Sequence, residues 1–133
     1  MNEKKESVIT ANEDFYRAFD SSDMVLMESL WSAKHEVSVV HPGWDLLTGL
    51  GEVLMSWRQI LKNASFKHIS CDNVWVNLVD DIANVICIEH LDDVELIATN
   101  IFVLEEQTWK MIHHQAGPLN HDLEQYVDEA MLH

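Results

Sequence analysis

Residues 82–104 read IANVICIEHL, DD, VELIATNIFVL, and residues 109–116 read WKMIHHQA. Apolar side chains recur every second position in these runs, and the connectors between them shrink to acidic pairs: Asp80-Asp81, Asp92-Asp93 and Glu105-Glu106-Gln107-Thr108. A period of two with tight polar turns predicts an antiparallel meander. Its strands are expected over Lys67 to Val79, Ile82 to Leu91, Val94 to Leu104 and Trp109 to Ala116, long enough that the sheet must twist and curl. In the first run the apolar phase slips from Ile69 and Cys71 to Val74 and Val76. One extra residue in a bulge near Asp72-Asn73 would produce that slip.

Upstream of Phe66 the period is helical. Val8, Asn12, Phe15 and Phe19 recur at four-residue steps with Ala11 and Ala18 beside them, which predicts a helix of about four turns. It should end near Asp20-Ser21-Ser22-Asp23, whose side chains can accept from the free N–H groups of a second helix carrying Leu26, Met27 and Leu30 and reaching Trp31. A third helix is expected after Thr48-Gly49, with Val53, Leu54, Trp57, Ile60 and Leu61 on its apolar face. Between the second and third, residues 37–43 (VSVVHPG) read as a short strand closed by a Pro-Gly turn. The whole chain, 1–133, reads as one domain, with 119–133 a C-terminal helix or a tail in which Leu123, Val127 and Ala130/Met131 keep helical spacing.

Composition narrows the function classes. The 133 residues include 8 Lys+Arg against 23 Asp+Glu, a net charge of −15, yet 47% are hydrophobic. Such a chain can bury a core. Its acidity opposes binding to phosphate backbones or anionic lipid, so neither a nucleic acid nor a membrane surface is an expected partner. No apolar run approaches the ~18 residues of a membrane span and the first residues lack the pattern of a secretory signal, so a cytoplasmic location is expected. Cys71 and Cys87 sit in apolar runs without metal-ligand spacing and read as buried thiols, and no cofactor or metal site is expected.

Three helices, a short strand and four long bent strands make an α+β layer arrangement in which the helices cover one concave sheet face. With FYRAFDSSDMVLMESLW (15–31), HPGWDLLTGLGEVLMSW (41–57) and TNIFVLEEQTWKMIHHQAGP (99–118), nearly the whole chain resembles the nuclear transport factor 2-like superfamily, in its SnoaL-like and ketosteroid-isomerase-like branches. The last segment also resembles the association domain of calcium/calmodulin-dependent kinase. The resemblance implies a cone-shaped fold, three N-terminal helices on a strongly curved antiparallel sheet, with a pocket at the wide end and a homodimer built on the outer sheet face.

The resemblance also nominates site residues. His41 stands where the isomerases have the Asp of an Asp-Pro that moves the proton, and an imidazole can do such work near neutral pH. Asn100 falls near the isomerase acid that donates to the oxyanion, and its amide N–H could donate too; equally, it could belong to a satisfied internal network. The isomerase tyrosine matches Phe15, with Tyr16 one residue off, so one oxyanion donor is expected to be missing. Steroid isomerase chemistry itself therefore does not carry over. Strand alternation puts His113 and Gln115 on one side with Trp109 and Met111, matching a His-x-His of the kinase association domains, and sends His114 to the other side, toward a partner or solvent.

Trp44, after the Pro-Gly turn, is expected at the pocket mouth. Phe15, Trp57 and Phe102 either line the cone or fill it, while Trp31 and Trp109 read as packing residues. The functional expectation is a small-molecule pocket protein for a small apolar ligand, with acid/base isomerase, dehydratase or cyclase chemistry on His41 and Asn100. The alternative is a non-catalytic ligand-binding or dimerisation module.

Overall fold

The structure is a computed structural model and describes residues 3–120. Helix α1 (Glu3–Asp20) is followed by α2 (Met24–Leu30), then β1 (Ser38–Val40), β2 (Leu47–Thr48), α3 (Leu50–Lys62) and the long strands β3 (Ile69–Val79), β4 (Ile82–Leu91), β5 (Val94–Glu105) and β6 (Thr108–Pro118). The caps form as the sequence predicts: Asp23 Oδ1 accepts from the Leu26 amide at 3.0 Å. Gly49, at φ +88°, opens α3 in a backbone conformation that a side chain would strain. Asp80 and Asp92 take left-handed φ at their turns, which Asp tolerates better than most residues. The segment 121–133, which the sequence reads as a C-terminal helix or a tail, lies outside the described residues.

The strands form one six-stranded sheet in the order β2-β1-β6-β5-β4-β3. The meander β3 to β6 is antiparallel throughout, but the sheet as a whole is mixed, because β1 takes the free edge of β6 in parallel register, Ser38 beside His113. The expected bulge is present, with the β3–β4 register shifting between Asp72 and Trp75 and Asn73 at φ +51°.

A second irregularity was invisible in the sequence. Between Ile101 and Phe102 the β5–β6 register shifts, so that Ile101 pairs with His113 while Phe102 pairs with Met111, leaving Ile112 as the extra residue. The inner face of β6 therefore runs Trp109, Met111, His114, Ala116. One inserted residue exchanges the two faces beyond it.

Helices and the concave sheet face enclose the core. Phe15 is central, its ring meeting Tyr16, Phe19 and Trp57 edge-on at centroid distances of 4.8, 6.1 and 5.5 Å. Such pairs add about 0.5–1.5 kcal/mol each beyond the area they bury. Trp31, Trp57 and Trp109 are all buried, as their phases predict. Cys87 is buried, but Cys71 is only half-buried, because it lies near the start of the edge strand β3. Among the described residues no helix is long and apolar enough to cross a membrane, and no group of three or more His, Cys, Asp or Glu is placed to hold a metal ion.

Candidate functional site

Toward one end of the curved sheet the core does not close. A cavity of ≈ 410 Å³ is bounded by Phe19 of α1, Ile60 of α3, Phe66 and Ile69 at the entry to β3, and Leu91 and Leu96 at the β4–β5 hairpin. Its polar groups are His41, His114, Glu89, the indole N–H of Trp44 and, on the exposed segment after α3, Ser65.

Glu89 carries the most unusual chemistry. It sits on the inward parity of β4 with Val85 and Cys87 and is only 1% exposed. Burial away from water disfavours the carboxylate and pushes its pKa up to about 7, against the opposing pull of a hydrogen bond from Tyr16. That bond, from the Tyr16 hydroxyl to Glu89 Oε2, measures 2.7 Å. Tyr16 in turn accepts from Asn100 Nδ2 at 3.1 Å, and the same amide nitrogen donates to Asn12 Oδ1 at 2.9 Å. Both amide hydrogens of Asn100 are thereby used. Its Oδ1 accepts from His114 Nδ1 at 2.6 Å, which fixes the tautomer of His114 and leaves Nε2 as a lone pair 3.9 Å from Glu89 Oε2. The His114 pKa is held well below the usual histidine value, first by burial and then by neighbouring His41 and His113.

His41 follows β1, against Pro42, as the sequence predicts, and it lines the cavity. Its Nε2 lies 2.9 Å from Ser56 Oγ, and the Ser56 hydroxyl already donates to the Val53 carbonyl at 2.7 Å. The serine can only accept from the ring, so His41 carries its proton on Nε2 and keeps Nδ1 basic. Burial lowers its pKa to about 4, so it is neutral at physiological pH. The ring stands edge-on to Trp44 and Trp57 at 5.0 and 4.8 Å.

The other expected positions divide. Trp44, 42% exposed, lines the cavity. Phe15, Trp57 and Phe102 are fully buried and lie outside the cavity wall, so they fill the cone rather than line it.

The β6 bulge corrects the placement of the closing histidines. His113 faces away from the core with its Nδ1 2.7 Å from Ser38 Oγ, and Gln115 is exposed beside it, so neither lines the cavity. His114, expected to face a partner or solvent, is 1% exposed and lines it instead. Tyr16 is a further correction: its hydroxyl does reach the site, from the side of the helix next to Phe15, but it is committed to Glu89. Sequence reasoning missed Glu89 and Ser56. A charged residue on the buried parity of an otherwise apolar strand was the available signal for Glu89, and a hydroxyl between Val53 and Trp57 the one for Ser56.

The chain matches the SnoaL-like domain model over residues 8–119. It is 34% identical to a protein of Streptomyces avermitilis provisionally assigned as a dehydratase of the NTF2-like family, with a TM-score of 0.77 over 86% of this chain and 95% of that one. A Thiobacillus denitrificans protein provisionally assigned as a calcium/calmodulin-dependent protein kinase type II association domain is 26% identical, with a TM-score of 0.74 over 83% of this chain and 93% of that one. The Arabidopsis thaliana F-box protein SKIP8 is 24% identical over 91% of this chain, which spans only 53% of that protein's length. Fold and sequence agree: the chain belongs to the SnoaL-like family and has the nuclear transport factor 2-like cone fold.

Proposed function

We propose that the protein binds a small, largely apolar molecule in the cavity beside His41 and moves a proton on it, in chemistry of the isomerase, dehydratase or cyclase kind. The observation that carries this reading is Glu89, a buried carboxyl whose pKa of about 7 lets it give and take a proton at neutral pH, at the wall of an otherwise apolar cavity. His41 is the second acid/base group, with Nδ1 as its basic atom. Asn100 acts one step back, as a positioning residue that orients Tyr16 and His114. The similarity to a provisional dehydratase supports the reaction class.

Solvent-deuterium incorporation into a panel of small carbonyl compounds, followed by NMR, tests this. Glu89→Gln should slow exchange by about a hundredfold or more, the usual worth of a positioned general base. Full exchange in that variant would remove Glu89 from the mechanism.

A second reading is a non-catalytic ligand-binding or dimerisation module, favoured by the way Phe15, Trp57 and Phe102 fill the cone and by the similarity to the kinase association domain. Both readings include a homodimer on the outer sheet face, where Trp75 is 54% and Ile97 41% exposed, with Val79 and Ile82 exposed as well. Both are compatible with a cytoplasmic protein of one domain. Native mass spectrometry reads subunit number and any retained molecule together, and a monomer would rule out the interface.

A further inference from the structure

The directions of the hydrogen bonds around the cavity restrict what can bind there. The proton of His41 goes to Ser56, whose own proton goes to the Val53 carbonyl; that of His114 goes to Asn100, whose two amide hydrogens go to Asn12 and Tyr16; that of Tyr16 goes to Glu89. The side-chain donors of His41, Ser56, His114, Asn100 and Tyr16 are thus all used inside the protein. What these inner residues present to a guest is a set of acceptors, the Glu89 carboxylate, Nδ1 of His41 and Nε2 of His114, while the donors of the wall, the Ser65 hydroxyl and the Trp44 indole N–H, belong to exposed residues. The Trp57 indole nitrogen has no hydrogen-bond partner among the described residues, but Trp57 is not part of the wall.

No Lys or Arg lines the cavity. The titratable groups facing Glu89 are Tyr16 from α1, Cys71 from β3, Cys87 from its own strand and His114 from β6, and none of them is a cation at neutral pH. An ionised Glu89 thus has no counter-ion in the protein. Buried charges in proteins are ordinarily paired. The remaining wall offers aromatic faces, Phe19 against Phe66 at 5.3 Å and Trp44 against His41 at 5.0 Å, a surface that attracts cations as well as apolar groups. A net charge of −15 draws cations toward the protein as a whole.

We infer that the cavity takes a protonated amine carried on a compact apolar body, its ammonium hydrogens shared among Glu89, His41 Nδ1 and His114 Nε2 and its body held against Phe19, Phe66 and Trp44. Three donors on a primary ammonium meet three acceptors, two of which stand only 3.9 Å apart. The low pKa values of both histidines keep their lone pairs free at the pH where an alkylamine is still protonated. This rests on the proposal that the cavity is a ligand site and deepens it by naming the ligand's charge and hydrogen-bonding character.

The test uses three probes of one shape: 2-phenylethylamine, 2-phenylethanol and phenylacetate, titrated against the intact chain by tryptophan fluorescence and calorimetry near pH 8. The amine should bind about tenfold or more tightly than the alcohol, and phenylacetate least. In Glu89→Gln the amine should fall to the level of the alcohol, while unchanged alcohol binding shows that the cavity is intact. Equal binding of amine and alcohol by the parent protein would overturn the amine inference and leave the ligand site standing. Binding of none of the three would overturn both.

Discussion

The hydroxyl of Tyr16, on the first helix, and the carboxyl of Glu89, on the fourth strand, are joined by a 2.7 Å hydrogen bond inside the core. Tyr16 donates to the ionised form of Glu89 and so pulls its pKa down, while burial pushes it up. Tyr16→Phe should therefore move the Glu89 titration above about 7 and destabilise the fold by about 1–2 kcal/mol. Infrared titration of the carboxyl band and urea denaturation would show both, and an unmoved titration would mean that the bond is not formed in solution.

Glu89 also leaves a signature in stability against pH. Its pKa is raised in the fold from 4.5 to about 7, so in that window the native state holds a proton that the unfolded chain has released. The stability associated with that proton is fully present below about pH 4.5 and is lost as pH rises through 7, amounting to about 3 kcal/mol. His41 works in the opposite direction, because its folded pKa of about 4 lies below 6.5 and its contribution is lost as pH falls through that range. The clean readout is a difference. The stability of Glu89→Gln relative to the parent should climb between pH 4.5 and pH 7, and a flat difference would contradict the raised pKa.

The two cavity histidines should show opposite tautomers. Nitrogen-15 NMR near neutral pH should find His41 protonated on Nε2 and His114 on Nδ1, because Ser56 and Asn100 accept from those atoms. Ser56→Ala strands the Nε2 proton of His41 in the core and should cost about 1–3 kcal/mol in urea denaturation.

Trp44 is 42% exposed at the cavity and meets the His41 ring edge-on. Trp44→Ala should change stability by about 0.5 kcal/mol or less. Occupancy of the cavity by 2-phenylethylamine should nevertheless weaken severalfold in fluorescence titration. Undiminished affinity would place the ligand elsewhere.

On the outer sheet face, a charge at Ile97 tests the proposed dimer. Ile97→Lys puts an ammonium on the exposed apolar face and, if the proposed dimer forms there, should yield a monomer in light scattering where the parent is a dimer, with the fold intact because the side chain is already 41% exposed.

The fold was legible from the meander onward. The runs in 82–116 keep a period of two because one face of each strand is dry, and Asp80 and Asp92 mark turns because Asp tolerates a left-handed backbone. The bulge at Asp72-Asn73 was also readable, since it displaces an apolar phase that the residues on either side define. The bulge at Ile112 was not. Ile112 and His113 can face either way without breaking any pattern, so alternation alone sent His114 outward when the register turns it in.

Sequence by itself determined the element order and the strongly acidic charge, because hydrophobic period and turn chemistry act within a few residues, while the resemblance nominated His41, Asn100 and Trp44, of which His41 and Trp44 line the cavity and Asn100 does not. The site was decided by tertiary structure. Glu89, Tyr16, Asn100 and His114 come from one helix and three strands, and Ser56 holds His41 from another helix. Whether a buried carboxyl is ionised, and which nitrogen of an imidazole keeps its lone pair, depends on water excluded and hydrogen bonds received across those elements. Those are properties of the assembled core, which no local pattern encodes.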